Sequence, residues 1–128
     1  MRAVLDSGGL SALASDRFVL AEFSARLTAP PFVPSAVLCE ALTGDHRRDH
    51  GVNRLLAQCE VVVIGERLSR VAAGLRTRTG RAGSISAVDA LVAAVGVGMP
   101  GSTVVTSDPD DLSALLSCSN VAVGIARV

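Results

Sequence analysis

Thr103-Val104-Val105-Thr106-Ser107-Asp108-Pro109-Asp110-Asp111-Leu112 changes character within ten residues. The β-branched run Thr103 to Thr106 reads as a short buried strand. The polar turn after it holds three carboxylates and opens a helix, with Asp108 suited to the N-cap and Pro109 to the first helical position. In a parallel sheet, the carboxyl end of such a strand is where ligands bind. The fold and the chemistry then depend on what else the chain brings to that edge.

Working outward, the next elements alternate. Upstream lie an apolar helix from Ala87 to about Val97, a Gly-rich linker from Gly80 to Gly83, and a helix from Glu66 to Arg78. In that last helix Leu68, Val71, Ala72 and Leu75 form the apolar face, with Arg67, Arg70, Arg76 and Arg78 outside. Val61 to Ile64 reads as a strand, Asn53 to Gln58 as a helix, and Gly44 to Gly51 as a charged connection. Ala36 to Thr43 reads as a helix introduced by Pro34-Ser35, and Phe32-Val33 as a brief strand. A helix from Asp16 to Leu27, with Phe18, Val19, Phe23 and Leu27 near one face, stops before Pro30 and Pro31. Ala3-Val4-Leu5 is the first strand, Ser7-Gly8-Gly9 a turn, and Leu10 to Ala14 the start of a helix. Downstream, a short helix reaches Leu116 and Val121 to Ile125 is the final strand. Strands and helices alternate without a repeat, which predicts one α/β domain over residues 1–128: a three-layer α/β/α sandwich with a mainly parallel central sheet.

Composition removes several kinds of chemistry. All 12 basic residues are Arg and none is Lys, so Walker-A NTPases, Schiff-base enzymes and receiver-type phosphoacceptors fall away. The net charge is zero, but from Asp45 to Arg81 eight Arg face four acids, leaving +4 there and −4 in the flanks. Cys39, Cys59 and Cys118 are odd in number and widely spaced, as expected of reduced, buried thiols in a cytoplasmic protein. Asp6 interrupts the N-terminal apolar run, so no signal peptide is expected, and Gly96, Gly98, Pro100 and Gly101 break the longest uncharged stretch, so no membrane span is. Gly96 to Gly101 satisfies G-x-G-x-x-G, but with a helix before it and a strand after it, the reverse of a dinucleotide site.

The acids carry more information. Asp6 ends the first strand and reads either as an N-cap or as a site residue; an Asp-x-Asp nucleophile is excluded because position 8 is Gly. Glu40 stands in the apolar stretch Val37-Leu38-Cys39-Glu40-Ala41-Leu42, either solvated or turned to a site. Asp89 is the single acid of the apolar helix from Ala87 to Val97, hence expected to be buried, although Ser86-Ala87-Val88-Asp89 also fits a capping box. Gathered carboxylates repel one another unless a cation lies between them, and oxygen-only ligands suit Mg²⁺ or Mn²⁺. His46 and His50 read as surface residues with no third zinc ligand.

Four stretches together resemble the motifs of PIN-domain nucleases, specifically VapC-type toxins of toxin–antitoxin pairs. They are Val4-Leu5-Asp6-Ser7-Gly8-Gly9-Leu10-Ser11-Ala12-Leu13, Pro34-Ser35-Ala36-Val37-Leu38-Cys39-Glu40, Val88-Asp89-Ala90-Leu91-Val92-Ala93-Ala94, and Val104 to Leu112. The resemblance covers nearly the whole chain and implies a type II toxin acting as a metal-dependent endoribonuclease. It makes Asp6, Glu40, Asp89 and Asp108 the catalytic acids, with Asp6, Asp89 and Asp108 as Mg²⁺ or Mn²⁺ ligands and Glu40 and Asp111 as auxiliaries. The carboxylates of Asp6, Glu40, Asp89 and Asp108 are then expected within roughly 4–8 Å of one another, given Mg²⁺–oxygen distances of ~2.1 Å. RNA as substrate, a cognate antitoxin that blocks the site, often with a basic side chain, and a homodimer are also implied. Two departures stand out: Gly8 and Gly9 where many relatives have larger residues, and Ser86 where close relatives often have Asp. The alternative is a PIN-fold binding or regulatory module whose acids only cap helices.

Overall fold

The computed structural model describes residues 1–128. Five strands, β1 (Ala3–Leu5), β2 (Phe32–Pro34), β3 (Glu60–Val62), β4 (Thr103–Thr106) and β5 (Gly124–Arg127), form one sheet in the order β3-β2-β1-β4-β5. Every neighbouring pair is parallel. Parallel pairing requires a crossover between successive strands, and the helices supply it: α1 (Ser7–Ser15), α2 (Arg17–Ala25), α3 (Leu38–Ala41), α4 (His50–Leu56), α5 (Glu66–Arg78), α6 (Ala87–Val97) and α7 (Asp110–Leu116). One group of helices packs α1 against α2, α3 and α4; the other packs α6 against α5 and α7. The expected α/β/α sandwich is therefore the observed fold.

Covering both faces explains the composition of the strands. Ala3, Val4, Leu5, Val104 and Val105 are fully buried, as a continuous apolar run must be in a parallel sheet. The small residues of α6 let it settle onto this surface: Ala90, Val92, Ala93, Ala94, Val95 and Gly96 are all buried. A Cβ on Gly96 would stand 3.2 Å from Val123 and 3.3 Å from Val104, so glycine there sets how closely the helix lies on the sheet. Gly101 adopts φ +80°, the left-handed conformation that turns the chain from α6 into β4.

Strand order decides where a ligand can sit. From β1 the chain moves outward through β2 and β3, then crosses back to add β4 and β5 on the other side of β1. The topological switch point therefore lies between β1 and β4, and the carboxyl ends of strands at such a point are where ligands of open α/β sheets bind.

Several expectations needed correction. The helix expected over Ala36 to Thr43 is a 3₁₀ turn, Ser35–Val37, followed by a single α-turn ending at Ala41. No side chain caps either piece, and Leu42 is already extended (φ −107°, ψ 148°). The last strand lies further along than Val121 to Ile125, because Gly124 and Arg127 pair with Thr103 and Thr106. β3 begins at Glu60 and leaves Val63 outside it, exposed at the sheet edge. α1 starts directly after Asp6 and not at Leu10. Phe18, expected on the inner face of α2, is 70% exposed, with the Arg17 guanidinium 4.9 Å from its ring centroid. Cys39 is exposed and not buried, and Val71 is exposed on α5. No helix is long and apolar enough to cross a membrane.

A candidate acidic site at the carboxyl edge of the sheet

Asp6 follows β1 directly. Its backbone N–H donates to the Val105 carbonyl (3.2 Å), which extends the β1–β4 pairing by one residue. Its carboxylate Oδ1 accepts from Gly9 N at 2.6 Å, so Asp6 is also the N-cap of α1. Capping and a place among the candidate acids are thus compatible in one residue. The two glycines make this possible. A Cβ on Gly9 would run into the Val105 carbonyl, and one on Gly8 into the Ser107 hydroxyl. Without side chains there, the first turn of α1 sits directly on the end of β4.

Asp108 is held differently from expectation. Pro109, not Asp108, occupies the cap position of α7, and the Asp110 N to Asp108 Oδ1 distance is a long 3.5 Å. The fully buried Thr106 fixes it instead. Its hydroxyl accepts from Asp108 N (3.0 Å) and donates to Asp108 O (3.0 Å). The backbone is pinned from the last residue of β4, and the Asp108 side chain stays exposed.

Asp89 lies in the first turn of α6, half-buried where burial was expected. The Ser86 hydroxyl caps the helix by accepting from Asp89 N at 3.0 Å. No return bond runs from the Asp89 carboxylate to the Ser86 amide, so the capping box is only half formed and the carboxylate is not consumed by it. Glu40 is exposed on α3. Asp111 is engaged by Arg81, whose Nη2 lies 2.7 Å from Asp111 Oδ1. Asp110 is exposed at the start of α7.

Charge links these acids. Burial raises the Asp6 pKa above its ordinary value; the Thr106 hydroxyl and the Gly9 amide oppose this, while the charges of Asp89 and Glu40 add to it. Asp89 is raised too, first by burial, against its hydrogen bond with Ser86, and further by Asp111 and Asp108. Asp6, Glu40, Asp89, Asp108 and Asp111 therefore share one electrostatic neighbourhood at the switch point. Asp49 contrasts with them. It accepts from the Thr43 and Gly44 amides and the Thr43 hydroxyl, its pKa is lowered mainly by the Thr43 amide, and its work is to tie down the loop before α4.

The donor set suits a hard divalent cation: oxygen ligands only, two of them raised in pKa chiefly by burial and further by their acidic neighbours, with Arg81 the one cation paired to any of them. Their conformation does not form a finished cage, since no three His, Cys, Asp or Glu side chains converge on one point. The tight cluster expected from the sequence is thus not formed by these side chains, although their charges are coupled. His46 and His50 are exposed and belong to no such group. The cavities lie elsewhere; one of about 370 Å³ is lined by Leu20, Phe23, Leu27, Pro31 and Leu55, among others.

Residues 3–115 match the family model of the PIN domain. The chain belongs to the PIN-domain family. No curated protein matches the sequence. Among solved structures, this PIN domain superposes on DNA-bound VapBC from Salmonella typhimurium with a TM-score of 0.74 at 14% identity, over 98% of both chains. VapBC2 from Rickettsia felis, bound to a fragment of its promoter, gives 0.70 at 17% identity, over 98% of this chain and 99% of that one. FitAcB from Neisseria gonorrhoeae gives 0.67 at 18% identity, over 95% and 96%. At such identities the likeness is one of fold. One contributor to the PIN-domain edge was not singled out in the sequence: Thr106, whose only signal is that it is the polar end of a buried strand. Gly9 entered only as a departure from the family pattern, and Arg81 only as one end of an Arg-rich segment.

Proposed function

We propose that this PIN domain is a Mg²⁺- or Mn²⁺-dependent endoribonuclease and the toxin of a type II toxin–antitoxin pair. The observation that carries the reading is the shared field of five carboxylates at the switch point, with Asp6 and Asp89 both raised by burial and by their acidic neighbours. Asp6, Asp89 and Asp108 would hold the cation, with Glu40 and Asp111 as auxiliaries. A bound Mg²⁺ or Mn²⁺ supplies Lewis acidity at the scissile phosphate and a water of lowered pKa.

The chain's own residues supply orientation. The α1 cap fixes Asp6 against β4, and Thr106 fixes the backbone of Asp108. Glu40, exposed on a short helix beside them, serves as a ligand or orients the attacking water. The open edge, free of any enclosing cavity, suits a polymer that passes across it.

The fold shared with chains of VapBC and FitAcB complexes supports a cognate antitoxin that covers the site; a homodimer acting in the cytoplasm completes the proposal. One observation favours a second reading, a non-catalytic PIN-fold module: the acids form no ready cage. Mg²⁺-dependent cleavage of single-stranded RNA and growth arrest on expression, both lost in Asp6→Asn and Asp89→Asn, separate the two. Full activity in both variants refutes the metal-site reading.

A further inference from the structure

An acidic edge repels the polymer it is proposed to cut, so something on the rim must hold phosphate. Of the 12 arginines, Arg81 is the one that an ion pair ties to an acid of this site. The only other ion pair, Arg70 with Glu66, lies within α5. Arg76 is committed through Nε to the Ile85 carbonyl at 2.7 Å, and Arg2 reaches the Pro100 carbonyl from the opposite end of β1.

The backbone of Arg81 is fixed while its head is not. Arg81 N donates to the Thr79 hydroxyl (3.0 Å), and Arg81 O accepts from Ser84 N (2.9 Å), Ile85 N (3.0 Å) and the Ser84 hydroxyl (3.1 Å). The side chain has one hydrogen bond, from Nη2 to Asp111. That pair is open to solvent, with side-chain exposures of 48% and 35%, so the bond is readily exchanged. Most of the guanidinium's N–H donors are unused, and their planar fork matches phosphate oxygens. The same connection runs on into Ser86, whose hydroxyl caps α6 at Asp89, so Arg81 and the Asp89 turn belong to one segment.

We propose that Arg81 is the phosphate-binding residue of the site: parked on Asp111 in the free protein, it transfers to a backbone phosphate of single-stranded RNA laid across the acidic edge. The assignment rests on the ribonuclease reading for its substrate class, but its test does not require cleavage.

The Asp6→Asn chain is titrated with a fluorescently labelled single-stranded RNA oligonucleotide in Mg²⁺ buffer over a range of KCl concentrations. Adding Arg81→Gln should weaken binding about 10-fold and lower the slope of log affinity against log salt by about 0.7, the loss of one phosphate contact. Arg81→Lys should restore the slope and only part of the affinity. Asp111→Asn should tighten binding more when Arg81 is present than when Gln replaces it, because only then is a guanidinium released.

Unchanged affinity and slope in Arg81→Gln overturn the assignment, as does equal tightening by Asp111→Asn in both backgrounds. If the wild-type chain cleaves RNA and Arg81→Gln binds like its parent, the Arg81 assignment alone fails. If the wild-type chain cuts nothing but Arg81→Gln still weakens binding, hydrolysis fails and the assignment stands. A chain that binds no RNA overturns both.

Discussion

Gly9→Ala asks whether the close seating of α1 on β4 builds the site. The added Cβ would enter the contact distance of the Val105 carbonyl and stand 3.1 Å from Asp6 Oδ1. Neither side can yield cheaply. Val105 is paired with Leu5 on one side and Ala126 on the other, and α1 is anchored by the fully buried Leu10 and Leu13. Ala is the better helix former by about 1 kcal/mol, which works in the variant's favour. Against it stand overpacking of about 1–3 kcal/mol, here at the upper end because backbone meets backbone, and a loosened Asp6 cap of about 1 kcal/mol. The net expectation is a loss of about 1–3 kcal/mol. With an unfolding entropy of about 2.1 cal/mol/K per residue over 128 residues, Tm falls by about 4 °C for each kcal/mol. Thermal denaturation followed by circular dichroism in EDTA reads this directly. Gly74→Ala is the control: it lies in α5 with nothing within 4 Å of the added carbon, and should gain about 0.5–1 kcal/mol. A Gly9→Ala chain as stable as the wild type would refute the close-approach argument.

Two further expectations concern charge. Asp6→Asn keeps an N-cap side chain and removes a buried charge that faces Asp89 and Glu40; in EDTA at neutral pH it should melt above the wild type. Added Mg²⁺ should raise the wild-type Tm, by preferential binding to the folded state, and raise that of Asp6→Asn less, as differential scanning fluorimetry would report. Asp49 has the opposite sign. Its native pKa is lowered, so the stability from its loop bonds is present above the unfolded value of about 3.9 and is lost as pH falls through the native value. Asp49→Ala should therefore destabilise the chain at neutral pH and shrink the difference from wild type in denaturant midpoints taken below about pH 4. Asp6 and Asp89, whose native values are raised, act the other way: the folded state gains from their protonation as pH falls toward the ordinary carboxylate range.

The fold was legible because its central strands are buried on both faces and its helices alternate with the strands, both being local patterns. The candidate acids stood out for a related reason: Asp6 follows β1 directly, Asp108 stands two residues past the end of β4, and Asp89 is the one charge in an apolar helix. What sequence could not reveal depends on contacts between distant segments. Gly9 is constrained by Val105, nearly a hundred residues away, and Arg81 finds Asp111 across the α5–α6 connection. Asp108 shows how a sound local rule loses: Asp-Pro at a helix start suggests an N-cap, but the Thr106 hydroxyl holds its backbone and Pro109 takes the cap position. The position of β5 was set by its pairing with β4, which moved it past Val121. Cys39 read as buried by residue type and Phe18 as part of an apolar helix face by spacing; both are exposed because α2 and α3 present those positions outward.

The central claim is that the coupled acids form a cation-dependent hydrolytic site, and RNA cleavage by purified wild-type, Asp6→Asn and Asp89→Asn chains tests it most directly. With Mg²⁺ or Mn²⁺ the wild type should cut single-stranded RNA, EDTA should stop it, and both variants should be inactive while folded. Cleavage that survives EDTA, or that persists at the wild-type rate in both variants, would contradict the account.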